Sequence, residues 1–172
     1  MRTLRGGAIA AALSCLSVPG FAQETVAWST VGEWPVAIDP GLGNGCFTYM
    51  AYSTGTLLRI GFNRLANRGV IIIESEAWSS LKTGSEYDLR LIFGAAPPWD
   101  TTGTAFNFDG APALWMNFIN VDVIFDFMQE PDVQIWRNDH MLDQLSLTGS
   151  SAAFSEVMRC QETMDARSAP NT

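Results

Sequence analysis

Few side chains in this sequence have types and spacings that suit a chemical reaction. Asp122 and Asp126 are separated by four positions, so on a helix both carboxylates would face the same side. Glycoside hydrolysis uses such a pair, one group as the acid and the other as a base or nucleophile. Solvation and interaction with the helix dipole explain the pair without any reaction. A carboxylate-dependent hydrolase acting on cell-wall or glycan material is therefore an alternative hypothesis, not the leading one.

The single histidine, His140, lies in a polar turn next to Asp139 and close to Asp143. A zinc ion needs firmly held ligands, usually four, and a hairpin tip would offer loose ones. No HExxH or GxSxG motif is present, and the only lysine, Lys82, lies in a predicted turn region where a Ser–Lys dyad would not form readily. We therefore predict no catalytic residue, no metal and no cofactor, and we expect that the chain is not an enzyme.

The chain has three cysteines. Cys15 lies in the N-terminal segment over residues 1–22, and Cys46 and Cys160 lie near opposite ends of the remaining sequence. Neither Cys46 nor Cys160 belongs to a CxxC motif or has a general base nearby that would activate the thiol. We predict that they form one structural disulfide, which would hold a late helix against an early strand. Their Cα atoms should then lie within about 7 Å of each other.

The first 22 residues have the features of an export signal. Arg2 and Arg5 precede a short apolar run, and Gly20 and Ala22 are the small residues that a signal peptidase prefers. Lipidation at Cys15 is the alternative, but that signal usually has a residue bulkier than Ala12 at its first position. We expect a periplasmic or secreted protein with a signal peptide over residues 1–22, one β-rich domain over residues 23–164 and a flexible tail over residues 165–172.

The chain is acidic, with 18 Asp and Glu against 10 Lys and Arg and a formal net charge of −8. Loss of Arg2 and Arg5 with the signal would make it more acidic. Nucleic acid is therefore excluded as an expected partner, because phosphate binding needs a basic face. No stretch approaches the roughly 18 apolar residues of a transmembrane segment. A basic protein is the partner that this charge allows.

Short apolar or alternating runs separated by turn residues indicate a mainly antiparallel β protein. Residues 86–93 alternate most clearly, and Asp109-Gly110 between two apolar runs is a strong hairpin signal. We predict a mainly β (α+β) fold, an antiparallel barrel or sandwich of about eight short strands, with two helices in the C-terminal half.

The two helices are predicted from their apolar spacing. In the first, which Asn120 would cap, the inward face is predicted to be Val121, Ile124, Phe125 and Met128. In the second, capped by Ser150 or Ser151, it is predicted to be Ala153, Val157, Cys160 and Met164. The second prediction points Cys160 toward the core.

Four residues are candidates for contact with a partner. Trp99 and Asp100 follow two prolines in a predicted loop, where an aromatic side chain could anchor a protein or a sugar. Arg64 and Arg68 lie together in a predicted turn and could hold an acidic group. A structural role for Trp99 and a solubilising role for the arginines remain open.

Residues 145–154 (LSLTGSSAAF) form a strand, a glycine, a small hydroxylated residue and an alanine-rich helix start. This stretch resembles the ending of the invasion-associated locus B family of small exported bacterial proteins. The whole pattern also resembles a broader group of uncharacterised exported proteins. The resemblance implies a β-rich periplasmic or surface protein without known catalytic residues, and it assigns no site residue.

The leading hypothesis is an exported, non-enzymatic protein that binds another protein. An inhibitor or immunity-type partner of a basic protein is one form of it. The hydrolase described above and a carrier of a small apolar ligand inside the β structure are the alternatives.

Overall fold

The computed structural model describes residues 24–108 and 110–168. Within them the backbone forms these elements: β1 (Val26–Val31), β2 (Trp34–Asp39), β3 (Gly45–Ala51), β4 (Thr56–Asn63), β5 (Arg68–Ser75), β6 (Glu86–Phe93), β7 (Trp99–Phe108), β8 (Ala111–Phe118), α1 (Asp122–Gln129), β9 (Asp132–Arg137), β10 (His140–Ser146) and α2 (Ser150–Ser168). The predicted signal over residues 1–22 lies outside the described residues.

The described strands form one ten-stranded sheet in the order β1-β2-β3-β4-β5-β8-β7-β6-β9-β10. All neighbouring strands are antiparallel. The sheet is not closed, because β1 and β10 are the ends of this order. The predicted class, a mainly antiparallel β fold with two late helices, is confirmed as an open, barrel-like sheet.

The sheet curls so far that its last strand meets the turn between β3 and β4. The Tyr52 hydroxyl donates to the carbonyl oxygen of Ser146 at 2.7 Å, and Thr56 Oγ1 donates to Asp143 Oδ2 at 2.6 Å. Burial, and secondarily the Asp143 carboxylate, raises the pKa of the Tyr52 phenol. The phenol therefore stays protonated and keeps this donor role.

Strand β5 lies at the centre of the sheet and is buried on both faces, as its continuous apolar run predicts. Ile71 and Ile73 point into the main core, whereas Val70 and Ile72 lie in a second, smaller cluster. That second cluster is covered by half-buried apolar side chains, Leu42, Phe106, Phe108 and Trp115.

Helix α2 covers one side of the main core and packs against β1–β4 and α1. Its predicted inward face is confirmed, since Ala153, Val157 and Cys160 are fully buried and Met164 is 7% exposed. Ser150 begins the helix, but its hydroxyl donates to the carbonyl oxygen of Phe127 at 2.7 Å. That bond attaches the start of α2 to α1.

The disulfide between Cys46 in β3 and Cys160 in α2 is confirmed, with a Cα–Cα distance of 6.0 Å. Both residues are fully buried. Because the bond closes a loop of 114 residues, a loop-entropy estimate of its stabilisation is up to about 5 kcal/mol. It holds the last helix onto the sheet, as the sequence predicts.

The predicted inward face of α1 is correct in part: Ile124 and Met128 are partly buried against the core, but Val121 and Phe125 are not. Val123 and Phe127 are buried, whereas Val121 and Phe125 are 58% and 54% exposed. Phe127 is on the inward side of α1 because its ring packs edge-on against Trp34, with centroids 5.6 Å apart, and against Phe154, with centroids 5.9 Å apart. Asn120 Oδ1 does accept the Asp122 N–H at 3.0 Å, near the predicted helix start.

The start of the predicted flexible tail also needs correction. Residues 165–168 form the last turn of α2, and Asp165 is ion-paired with Arg64. Residues 169–172 lie outside the described part of the chain. Among residues 24–108 and 110–168, neither helix combines the length and the apolar character that crossing a bilayer requires.

Candidate binding groove

An open groove of about 790 Å³ lies where the β4–β5 turn, the end of β8, the start of α1 and one face of α2 meet. The lining comes from three separate stretches of the sequence, residues 62–69, 118–124 and 158–165, which the curled sheet and the disulfide bring together. The groove is lined by Phe62, Asn63, Arg64, Asn67, Arg68, Gly69, Phe118, Ile119, Val121, Ile124, Met158, Gln161, Glu162 and Asp165.

Aromatic rings form the floor of the groove. Phe62 packs against Phe154 with ring centroids 5.8 Å apart. Phe118 lies over Gly69, where any side chain would overlap its ring. Glycine at that position therefore lets the ring lie directly on the β5 backbone.

The rim of the groove is unusually apolar for a solvent-facing surface. Ile119 is 75% exposed, Val121 58% and Met158 39%. Large exposed side chains such as these mark binding surfaces more often when they line one concave site than when they are scattered singly. Phe125 lies one turn after Val121 on α1 and extends this apolar surface beyond the groove.

One ion pair joins the two walls of the groove. Arg64 Nε, in the β4–β5 turn, lies 2.9 Å from Asp165 Oδ1 on α2. Arg64 Nη1 also donates to the carbonyl oxygen of Gly43 at 2.8 Å. Both partners of this pair are thus already engaged within the protein.

Gln161 connects this ion pair to the core. Its Oε1 accepts the N–H of Cys46 at 2.9 Å, and its Nε2 donates to Asp165 Oδ1 at 2.9 Å. Because Gln161 is 8% exposed and adjoins the disulfide residue Cys160, the wall formed by α2 is held in place at this point.

The predicted contact residues divide into two groups. Arg64 and Arg68 both line the groove. Trp99 does not: it begins strand β7, opposite Leu91, and packs edge-on against Phe118 at 6.1 Å. Trp99 is therefore in a strand, not in the predicted loop, and it supports the groove floor from behind.

Asp100 lies elsewhere, in a depression of about 490 Å³. Arg90 donates to both of its carboxylate oxygens, at 2.6 and 3.1 Å. These hydrogen bonds lower the pKa of Asp100 and raise the pKa of Arg90. The structure does not bring Trp99 and Asp100 to one site with Arg64 and Arg68.

The two helical carboxylates also lie outside the groove lining. Partial burial, with the nearby charges of Glu130 and Asp122, raises the pKa of Asp126. Val121, which directly precedes α1, and Ile124 in α1 line the groove instead.

Sequence reasoning missed the apolar rim. Ile119 and Val121 precede a helix that is apolar on nearly all sides, and Met158 is an apolar residue on the solvent side of α2. These helices and their flanks carry more apolar side chains than two inward faces can bury. That excess was the signal in the sequence for an exposed apolar surface.

Fold and groove together define a small antiparallel β protein with an external, apolar-lined groove beside a disulfide-held helix. Comparison with models of protein families and with curated proteins found no match. Among solved structures, the invasion associated protein B of Bartonella henselae is similar, with a TM-score of 0.58 at 10% sequence identity. The similarity covers 81% of this chain and 99% of that chain. At this identity it concerns the fold alone, so the predicted resemblance is supported only at that level.

Proposed function

We propose that this chain is an exported, non-enzymatic protein that binds another protein by receiving an apolar segment of that partner in the groove. The observation that carries the proposal is the exposed apolar rim. Ile119, Val121 and Met158 are open to solvent on one concave surface, above a floor of aromatic rings. Covering this surface with a complementary apolar segment removes apolar area from water, which contributes favourably to the free energy of binding.

The composition of the groove supports binding over catalysis. Its described lining contains no histidine, cysteine or serine, and of its two carboxylates, Glu162 and Asp165, the second is ion-paired with Arg64. Two of its four charged groups, Arg64 and Asp165, neutralise each other. The hydrolase alternative gains no support, because Asp122 and Asp126 do not line the groove.

A protein segment suits this site better than a small apolar ligand held inside the sheet. The interior is filled by large side chains, with Trp34, Phe127 and Phe154 each 1% exposed or less. The available space lies at the surface instead, and its walls carry amide and charged groups beside the apolar ones.

The same proposal includes export from the cytoplasm and a partner with a net positive charge. The predicted signal and the disulfide both support an oxidising compartment outside the cytoplasm. The net charge of −8 would speed encounter with a basic protein, as for an inhibitor or immunity-type partner. The groove is itself charge-balanced, with two arginines and two acids, so its contact is expected to be mainly apolar.

The test uses two methionines with similar exposure, Met158 in the groove and Met141 in β10 away from it, at 39% and 49%. The wild type, Met158→Asp and Met141→Asp are each used to capture protein from envelope extracts of the source organism. We expect a stoichiometric partner with the wild type and Met141→Asp, and its loss with Met158→Asp, provided that all three show the same thermal unfolding. Equal capture by both variants would refute the groove as the binding site.

A further inference from the structure

The charged groups of the groove differ in whether they already have partners. Arg64 and Asp165 are bonded to each other and to Gly43 and Gln161, as described above. Arg68 and Glu162 are exposed, and neither makes an ion pair or side-chain hydrogen bond with the described residues. One free cation and one free anion thus remain in the groove.

Both free groups sit on backbone that is fixed. Arg68 begins β5 and pairs with Asn63 of β4, where the hairpin closes. Glu162 follows Met158 by one helical turn on α2, so the two side chains lie on the same face. The free cation is therefore on the sheet wall of the groove and the free anion on the helix wall, with apolar side chains between them.

Resting on the proposed function, we infer that the partner segment is an amphipathic peptide with an acidic residue that pairs with Arg68 and a basic residue that pairs with Glu162. A guanidinium binds a carboxylate through two parallel hydrogen bonds, which gives directional recognition. Charge pairs at the edge of an apolar contact contribute mainly orientation and selectivity. The pairing would fix which way the segment lies in the groove.

The presence of both charge signs favours a peptide over a lipid. A fatty acid or an anionic phospholipid offers one anionic end and leaves the carboxylate on the opposite wall unmatched. A zwitterionic phospholipid carries both charges in one headgroup, whereas Arg68 and Glu162 lie on opposite walls of the groove. Asn67 and Asn63 also lie in the wall beside Arg68. The Asn67 side-chain amide has no hydrogen bond with the described residues, and Asn63 uses only its Oδ1, which accepts the Ala66 N–H, so both side chains can still bond to a peptide backbone.

The experiment is selection of a displayed random peptide library on the intact, disulfide-bonded protein. Five forms are compared: wild type, Arg68→Glu, Glu162→Lys, Arg167→Glu and the Met158→Asp variant described above. Arg167 is the matched control, since it is exposed and lies about 200° around α2 from Asp165, on the side away from the groove.

We expect wild type and Arg167→Glu to enrich the same peptides, which carry apolar residues with one acidic and one basic residue at a fixed spacing. Arg68→Glu should enrich a basic residue in place of the acidic one, and Glu162→Lys an acidic residue in place of the basic one. Wild-type peptides should bind each of these two variants about three- to tenfold more weakly.

The experiment distinguishes failure of this inference from failure of the proposed function. One outcome is that Met158→Asp abolishes peptide binding, but wild type and Arg68→Glu enrich peptides with the same charged residues. That outcome would overturn this inference and leave the groove proposal standing. Peptides insensitive to Met158→Asp, or no enrichment on any form, would overturn both. Displacement of bound peptide by oleate at a stoichiometry of one would instead favour a lipid and contradict the inference.

Discussion

At the residue scale, Gln161 links the stability of the fold to the shape of the groove. Its side chain satisfies the buried N–H of Cys46 and at the same time holds Asp165, the carboxylate that pairs with Arg64. A buried polar group that loses its hydrogen-bond partner costs free energy, because it cannot return to water. Sequence reasoning gave Gln161 no role, since its partners are set only by the packing of α2 on β3.

Replacing Gln161 by Leu should lower the free energy of unfolding by about 1–3 kcal/mol, because the Cys46 N–H is left buried without an acceptor. Urea denaturation of the oxidised protein measures this. Glu162→Gln is the control, since Glu162 is exposed and the change should stay within about 0.5 kcal/mol. Equal midpoints for Gln161→Leu and the wild type would contradict this role.

At the element scale, α1 shows what periodicity can and cannot decide. Six of the eight residues from 121 to 128 are apolar, so the spacing identifies a helix but not which side is inward. Phe127 contacts Trp34 and Phe154, and with the inward side fixed at Phe127, Val123 is also buried while Val121 and Phe125 stay at the surface near the groove. In α2 the large apolar residues other than Met158 occupy one side, and the predicted face is correct.

The orientation of α1 predicts opposite effects of two similar substitutions. Phe127→Ala should lower the free energy of unfolding by about 3–5 kcal/mol, because it removes a fully buried ring from the core. Phe125→Ala should change it by no more than about 0.5 kcal/mol, since that ring is half exposed. Urea denaturation of both variants gives the comparison, and a larger loss for Phe125→Ala would mean that the helix is turned as the sequence pattern indicated.

At the scale of the whole molecule, the strands and the disulfide could be predicted, but the groove could not. Strand patterns and hairpin signals can be read from neighbouring residues. The disulfide could be predicted because neither Cys46 nor Cys160 lies in a sequence motif for thiol chemistry. The groove is assembled from segments as distant as Arg68 and Glu162, so its existence depends on how far the sheet curls. Trp99 shows the same limit: two prolines before it indicate a loop, yet pairing with β6 makes it a strand residue that lies behind the groove.

The most direct test of the account is site-specific photocrosslinking in living cells of the source organism. A photoreactive amino acid replaces Ile119, which is 75% exposed in the groove, or Met141, which is 49% exposed in β10. We expect a discrete crosslinked protein adduct from position 119 that is absent from position 141. An adduct of the same protein from position 141 alone, or none from position 119, would contradict the claim that this groove is where the protein binds its partner.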